Sequence, residues 1–247
     1  GNIDISSSNP TTPSGNLNIT GTNLYFGGEA NASGSTGGNI SAKAKEMLVL
    51  DSSIVAKGLK ANGGDLIVVS EDILLSTAQA NMDMSGSGNG GFIKLHADNY
   101  GLFNGSFKAD GNSGQGGKID FSGNNIRLTK ADISAKGSSQ GGKVRVGGEY
   151  LGGKKLKLAG NKEYNGFINR FDNKNDIINA QNTIVDYDVD INVSSSFGQG
   201  GTTVVWSDQT TDFMGSIDAN GYLSADNDWI TQASKNKAKG GFIEISS

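Results

Sequence analysis

The chain has 247 residues, among them 38 glycines, 2 prolines and no cysteine, which excludes collagen, disulfide scaffolds, cysteine-based metal centres and thiol nucleophiles. The formal net charge of −4 argues against a nucleic-acid partner, and apolar runs of about four residues are too short for a transmembrane helix. The single histidine, His96, argues against a histidine-rich metal site and a histidine-based catalytic triad. We expect no metal centre, no cofactor and no catalytic residue.

The N-terminal stretch, residues 1–37, is predicted to form one or two irregular turns of a repeat. Apolar residues alternate with polar ones on both sides of a turn-forming cluster at residues 9–13, in the pairs Ile3/Ile5, Leu17/Ile19 and Leu24/Phe26. Alternation with a period of two is typical of short strands. Neither end of the chain carries a polar or helical cap, so we expect a segment of a longer protein.

From residue 38 onward, a repeat of 25 to 27 residues dominates the sequence. It is marked by Gly-Gly pairs whose second members are Gly38, Gly64, Gly91, Gly117 and Gly142. Each pair precedes a short alternating run, such as 92–95, and two more short apolar segments follow before the next pair. No stretch has a helix-length pattern. The repeat therefore predicts an all-β solenoid with three short strands per turn of about 26 residues.

Stacking of successive turns explains why such short strands are stable. A strand of about five residues cannot bury its own apolar side, whereas equivalent strands stacked about 4.8 Å apart form parallel sheets around a shared interior. The glycines are expected at the corners, where the backbones approach closely. A β-sandwich is the alternative, but it does not require a constant three-strand period.

Beyond Gly142, the spacing between Gly-Gly pairs lengthens. The next pair ends at Gly201, 59 residues on, which we interpret as two turns with about seven extra residues. The following pair ends at Gly241, 40 residues on, which indicates one turn with about 14 extra residues. Extra residues in a solenoid leave the stacked path as loops. We therefore predict a single β-helix segment over residues 1–247 with surface excursions at about 149–196 and 222–239.

Both predicted excursions contain aromatic and charged residues of the kind that bind sugars. An aromatic ring can stack on a sugar ring while neighbouring carboxylates accept hydrogen bonds from its hydroxyl groups. The alternative is that these residues fix the excursions to the shaft. The candidate ligand-binding residues are Tyr164, Arg170, Asp172, Asp176, Asp226, Asp228 and Trp229.

Other polar residues give weaker signals for chemistry. His96 follows an inward residue of an alternating run, so we expect it on the surface or in a turn. Asp65 and Asp120 are predicted to point outward without an acidic partner on the next turn, which argues against a polysaccharide-cleaving site. The Asp-x-Asp spacings at 186–190 and 226–228 resemble calcium-binding patterns but lack the glycine-containing loop, so they predict no metal site.

The C-terminal third contains segments that resemble a known family. In their order and spacing, the segments Lys143–Tyr150, Gly200–Asp208, Thr211–Ala219 and Gly240–Ser246 are similar to a recurrent block of the filamentous-haemagglutinin-like adhesins, which are exported by two-partner secretion. The resemblance implies a right-handed parallel β-helix in the shaft of a secreted or surface-exposed protein of a Gram-negative bacterium. It also implies an outer-membrane transporter as partner during secretion. The matched segments are structural in that family, so no catalytic role is implied, including for Glu244.

Together, the repeat and the resemblance indicate a segment of a bacterial surface adhesin. We expect a monomeric, rigid shaft that binds a host-cell receptor or glycan through its loops and faces, without membrane insertion. A polysaccharide-active β-helix enzyme and a passive spacer of a toxin-delivery protein are the alternatives. Candidate glycosylation sites in Asn-x-Ser/Thr sequons are Asn18, Asn31, Asn39, Asn104 and Asn192.

Overall fold

The protein is an all-β parallel solenoid, which confirms the predicted fold class. The computed structural model describes residues 1–9, 11–153, 177–222 and 240–247. Within them, every pair of neighbouring strands is parallel, and partner residues in the regular coils lie one 23- to 28-residue repeat apart. None of the helical residues described forms a segment long and apolar enough to cross a membrane.

The strands follow one another around a three-sided coil. The N-terminal coils contain β1 (Ile3–Asp4), β2 (Asn16–Phe26), β3 (Glu29–Asn31), β4 (Asn39–Leu50), β5 (Ser53–Val55), β6 (Asp65–Ser70), β7 (Ile73–Ser76) and β8 (Asn81–Asp83). Two long strands each run along all three sides of their coil, namely β9 (Phe92–Lys108) and β10 (Lys118–Ser134). The C-terminal coils contain β11 (Lys143–Val146), a 3₁₀ turn at Tyr150–Gly153, β12 (Asn182–Val185), β13 (Val189–Asn192), β14 (Thr202–Trp206), β15 (Thr210–Phe213), β16 (Ser216–Asp218) and β17 (Phe242–Ser246).

Stacking of the coils produces three parallel sheets, one on each side. The first sheet is built from β2, β4, β6, β9, β10, β11, β14 and β17. The second contains the C-terminal parts of β2 and β4, the strands β7, β12 and β15, and the middle parts of β9 and β10. The third contains β1, β3, β5, β8, β13 and β16 together with the ends of β9 and β10.

Like residues stack on like residues in the interior. Ile93 lies opposite Ile119 in the first sheet, and both are fully buried. Three phenylalanines fill the centre of two neighbouring coils, where the ring centroids of Phe103 and Phe107 each lie 5.0 Å from that of Phe121. The sheets are stable because every short strand shares this apolar column with its neighbours.

Glycine pairs turn the chain from the third sheet into the first. A Cβ atom at Gly63 would collide with the carbonyl oxygen of Met84, and one at Gly90 with that of Ala109. Both oxygens belong to the next coil. The pairs are therefore required because neighbouring backbones approach too closely at this corner for a side chain.

One solenoid turn, and not two, connects Gly142 to Gly201. Strand β11 pairs directly with β14, and Lys143 lies opposite Thr202, 59 residues further on. The two-turn interpretation is wrong because a spacing long enough for two repeats is also long enough for one repeat with an insertion of about 33 residues. The later 40-residue spacing is one turn, as predicted, since Thr202 lies opposite Phe242.

Part of the first predicted excursion belongs to the coil. Strands β12 and β13 lie inside the range 149–196, and both pair with β10 as the second and third sides of a regular turn. The chain leaves the stacked path after β11 and follows it again from β12. The sequence range overestimated the excursion because it followed from the two-turn interpretation.

Candidate functional site

The seven candidate ligand-binding residues lie outside the residues that the structure describes. They are Tyr164, Arg170, Asp172 and Asp176 of the first excursion and Asp226, Asp228 and Trp229 of the second. What the structure does describe is the point where the first excursion leaves the shaft. This base consists of residues 147–153 and 177–180 and lies against the first sheet.

Residues 147–153 turn back over the outer face of the first sheet. Gly147 has φ of 79°, a left-handed conformation that suits glycine, and it directs the chain out of β11. The backbone N–H of Leu151 donates hydrogen bonds to both carboxylate oxygens of Glu244, at 3.3 and 3.1 Å. Since Glu244 lies in β17, this segment crosses over β14 to reach it.

A group of five charged residues lies beneath this segment, and we call it the charged anchor. Its members are Lys118, Asp120, Lys143, Arg145 and Glu149. At its centre, the Arg145 guanidinium donates to both oxygens of Asp120, at 2.7 and 2.6 Å, and to Glu149 at 2.5 Å. Arg145 is 0 % exposed, although its side chain lies on the outer face of the sheet. The paired carboxylates compensate a charge that could not otherwise remain buried.

The two lysines complete the charged anchor. The Nζ atom of Lys118 lies 3.4 Å from Asp120, and that of Lys143 lies 3.3 Å from Glu149. Burial lowers the pKa of Lys143 below its usual value, while the charge of Glu149 opposes the shift. The anchor thus combines three cations and two carboxylates under the turning segment.

The sequence interpretation of Asp120 as an exposed acid is wrong. Asp120 is 1 % exposed and lies directly opposite Arg145 in the register of β10 and β11. Outward-pointing positions are normally solvated, but the chain after β11 covers this one. The signal that could have revealed the pair is the shared third place after the Gly-Gly pair, which both residues occupy.

An apolar group on the same outer face, the outer apolar cluster, lies beside the charged anchor. It contains Val204 and Trp206 of β14 packed against Tyr150 and Phe242. The rings of Tyr150 and Phe242 meet edge to face, with centroids 5.3 Å apart. This cluster is separate from the interior of the solenoid, so the base of the excursion has an apolar contact of its own.

Asn179 ties the returning end of the first excursion to its starting end. Its side-chain amide donates to the carbonyl oxygen of Gly152 and to Asp208, both at 3.1 Å. Asp208 also accepts a hydrogen bond from the Trp206 indole at 2.9 Å. Both ends of the excursion are therefore held at one place on the shaft.

The chemistry of the base is that of a rigid support. Arg145, Asp120 and Glu149 are buried and hydrogen-bonded to one another, so they offer no accessible acid, base or nucleophile. Burial raises the pKa of Glu244, and hydrogen bonds from Leu151 and Ser246 oppose this rise. The contacts of Glu244 and Asn179 hold residues 151 and 152 in place over the first sheet.

His96 is buried, which contradicts its predicted surface position. Its Nδ1 atom lies 2.8 Å from the hydroxyl of Ser122, and its Nε2 atom lies 2.7 Å from Asp98. The order of the three residues resembles a Ser-His-Asp triad. However, Ser122 is 0 % exposed, whereas a nucleophilic hydroxyl must be open to substrate. The arrangement therefore joins two neighbouring coils.

The structure also places two acidic residues on neighbouring coils side by side, which the sequence analysis did not predict. Asp132 and Asp190 lie opposite each other on neighbouring coils of the third sheet.

Asp188 accepts a hydrogen bond from the backbone of Lys130 at 2.8 Å. Asp186 accepts two hydrogen bonds from the Arg127 guanidinium, from Nε at 3.0 Å and from Nη2 at 2.9 Å. Among the described residues, no group of three or more acidic or histidine side chains could hold a metal ion.

The five candidate glycosylation sites differ in exposure. Asn18 and Asn39 are exposed on the first sheet, whereas Asn31, Asn104 and Asn192 are half-buried. The Asn104 amide donates to the carbonyl oxygen of Ser76 at 2.9 Å, so it is already engaged with the preceding coil. Asn18 and Asn39 are therefore the most accessible of these asparagines.

Comparison with known proteins gives one structural likeness to report. No protein-family model matches the chain, and no curated protein matches it. Among solved structures, the chain is similar to the crystal structure of the HMW1 secretion domain from Haemophilus influenzae, with a TM-score of 0.47 and 18% sequence identity. The alignment covers 93% of this chain and 73% of that chain. The identity and the TM-score are too low for this match to assign a family or a function.

Proposed function

We propose that this chain is a shaft segment of an exported bacterial adhesin of the filamentous-haemagglutinin-like type. The observation that supports the proposal is where the family-like segments lie. Segments 143–150, 200–208 and 240–246 contain β11, β14 and β17, which are neighbours in the first sheet, and segment 211–219 completes the coil between β14 and β17. Sequences far apart in the chain thus form one structural unit.

The residues of these segments have a shared physical task. Arg145 and Glu149 come from the first segment, Val204 and Trp206 from the second, and Glu244 from the last, and together they hold the base of the first excursion against the first sheet. Substituting any one of them disturbs contacts made by the others. This interdependence is a physical reason for the segments to occur together.

The adhesin works by presenting its excursions on a stiff support. Stacked coils keep the excursions at fixed positions, and several weak contacts to one cell surface add through effective concentration. The partners are a host-cell receptor or glycan and, during export, an outer-membrane transporter. The chain has no cysteine, so its coils can stack without disulfide formation after export from the Gram-negative cell.

Adherence of the purified protein to cultured host cells tests the proposal. The triple variant Tyr164→Ala, Asp228→Ala, Trp229→Ala should bind at least about tenfold more weakly, because aromatic and charged loop residues dominate such contacts. Tyr187→Ala is the matched control, since this tyrosine is 82 % exposed but belongs to the coil. If the unmodified protein, the triple variant and the Tyr187→Ala control bind cells equally or not at all, the chain is a passive spacer and the adhesin proposal fails.

The proposal includes no catalytic role. The pairing of Asp120 and Glu149 with Arg145 supports this, because these carboxylates are unavailable to a substrate. The stacked pair Asp132 and Asp190 is the place to test the enzyme alternative, since paired carboxylates cleave glycosidic bonds. We expect no release of reducing sugars from a polysaccharide panel. Release that Asp132→Asn abolishes would identify a polysaccharide-active enzyme.

A further inference from the structure

A groove runs along the corner between the third and first sheets, parallel to the solenoid axis. Its volume is about 500 Å³, and it extends over the four coils from Asn62 to Gln140. The floor consists of the Gly-Gly pairs, so no side chain blocks it. We call it the Gly-Gly groove. Neither the excursions nor their base accounts for its composition.

One wall of the Gly-Gly groove is a column of carboxamides. Asn62, Asn89, Gln115 and Gln140 occupy the same place in successive coils, directly before each glycine pair. The side-chain oxygen of Asn62 accepts the backbone N–H of Asn89 at 3.1 Å, and that of Asn89 accepts the N–H of Gln115 at 2.9 Å. These contacts fix both asparagine side chains against the backbone of the next coil.

The glutamines of this wall are available for a ligand. The side chains of Gln115 and Gln140 make no hydrogen bond to any residue in the described ranges 1–9, 11–153, 177–222 and 240–247. A carboxamide offers both a donor and an acceptor without a net charge. Vicinal hydroxyl groups of a sugar are matched by this combination.

The opposite wall contains Phe92 between charged residues. The Nζ atom of Lys118 lies 5.3 Å from the centroid of the Phe92 ring, so one side of the ring is covered. Lys118 and Lys143 border the same wall, but they already contact Asp120 and Glu149. With the lysine charges compensated in this way, the groove favours an uncharged ligand over a polyanion.

We propose that the Gly-Gly groove binds an extended, neutral polysaccharide whose chain runs parallel to the solenoid axis. Successive coils are about 4.8 Å apart, close to the length of one sugar ring along an extended glycan, so successive carboxamides meet successive sugars. Phe92 provides an apolar surface for the C–H face of one ring. This inference deepens the proposed adhesin function by giving it a ligand class and a second binding surface.

Calorimetric titration of the whole 247-residue chain with neutral oligosaccharides of increasing length tests the inference. We expect affinity to rise with each added sugar up to about four, the number of coils that the groove spans, and then to level off. The double variant Gln115→Ala, Gln140→Ala should weaken binding by about tenfold, because it removes two uncharged hydrogen-bonding groups. Gln209→Ala is the matched control, since this exposed glutamine lies at the corner between the first and second sheets.

The titration and the cell-adherence assay together separate the glycan-binding inference from the adhesin proposal. Length-dependent binding that the double variant loses and Gln209→Ala retains supports the inference. Binding to none of the neutral glycans, binding to polyanions alone, or equal binding by both variants overturns it. Loss of glycan binding with unchanged cell adherence leaves the adhesin proposal intact and limits the groove to a separate role. Glycan binding without cell adherence leaves the groove intact and removes the adhesin proposal.

Discussion

In the N-terminal coils the outer face of the first sheet is open, whereas from β10 onward the same face is covered. One column of outward positions shows the contrast, since Ile67, Asp120, Arg145 and Val204 all belong to it. Ile67 is 39 % exposed and Val204 is 0 % exposed. The backbone positions are equivalent, so the difference comes from the segment that follows β11. A regular solenoid can therefore create a second interior wherever an insertion folds back onto it.

The largest expected effect comes from removing the central cation of the covered region. Arg145→Met leaves Asp120 and Glu149 buried without their guanidinium, which should lower the free energy of unfolding by about 3–5 kcal/mol. Urea denaturation followed by circular dichroism measures it. Lys43→Met is the control, because its ion pair with Glu71 joins side chains that are 57 % and 45 % exposed on the open face, so its loss should leave stability nearly unchanged. Equal losses in the two variants would mean that the covered face is no different from the open one.

The regular coils should be most sensitive at their glycine corner. Gly90→Ala places a methyl group against the carbonyl oxygen of Ala109, and such overpacking costs about 1–3 kcal/mol. Gly240→Ala should change stability by less than about 0.5 kcal/mol, because a Cβ there meets no atom of the described residues within 4 Å. Thermal unfolding of both variants makes the comparison. A stable Gly90→Ala protein would contradict the close approach of the coils.

A smaller effect distinguishes two apolar residues of the same outward column. Val204→Ala removes two buried methyl groups and should cost about 1.5 kcal/mol. Ile67→Ala removes more carbon but from a partly exposed side chain, so it should cost less than about 1 kcal/mol. Denaturation midpoints in urea give both values. A larger loss for Ile67→Ala would show that the outer apolar cluster contributes little.

The smallest effect concerns two lysines with opposite pKa shifts. Burial lowers the pKa of Lys143, whereas the Glu71 carboxylate raises that of Lys43 on the open face. Lys143 therefore adds stability as the pH rises through its lowered pKa toward 10.5. Lys43 contributes stability below 10.5 and loses it as the pH rises through its raised pKa. NMR titration of the lysine side chains measures both values, and shifts of the same sign would contradict the contrast.

The fold could be predicted from the sequence because each coil repeats the same physical requirement. A glycine pair at the corner and apolar residues at the second and fourth places after it fix the register of the first sheet, and Ile93 opposite Ile119 follows directly. The length of the insertion after β11 could not be read in the same way. A 59-residue spacing by itself does not distinguish two turns with a short insertion from one turn with a long insertion.

The base of the excursion was missed for a different reason. The exposure of an outward side chain depends on which other segments cover the sheet. The alternation of apolar and polar residues along a strand indicates only whether a side chain points inward or outward. Asp120 was predicted to be an outward acid without an acidic partner, and its pairing with Arg145, 25 residues further on, was not considered. His96 was misplaced for the same reason, because its contact with Ser122 comes from the next coil. Comparing the outward residues at equivalent positions of successive coils, as well as those along each strand, would have revealed both contacts.

The link from Leu151 to Glu244 has a mechanical consequence. Through Asp120, Arg145, Val204 and Glu244, the segment after β11 joins four consecutive strands of the first sheet, β10, β11, β14 and β17. A pulling force on the first excursion is therefore distributed over several strands and is not borne by β11 alone. If the chain serves as the proposed adhesin shaft, this distribution would oppose the successive unfolding of its coils under a pulling force.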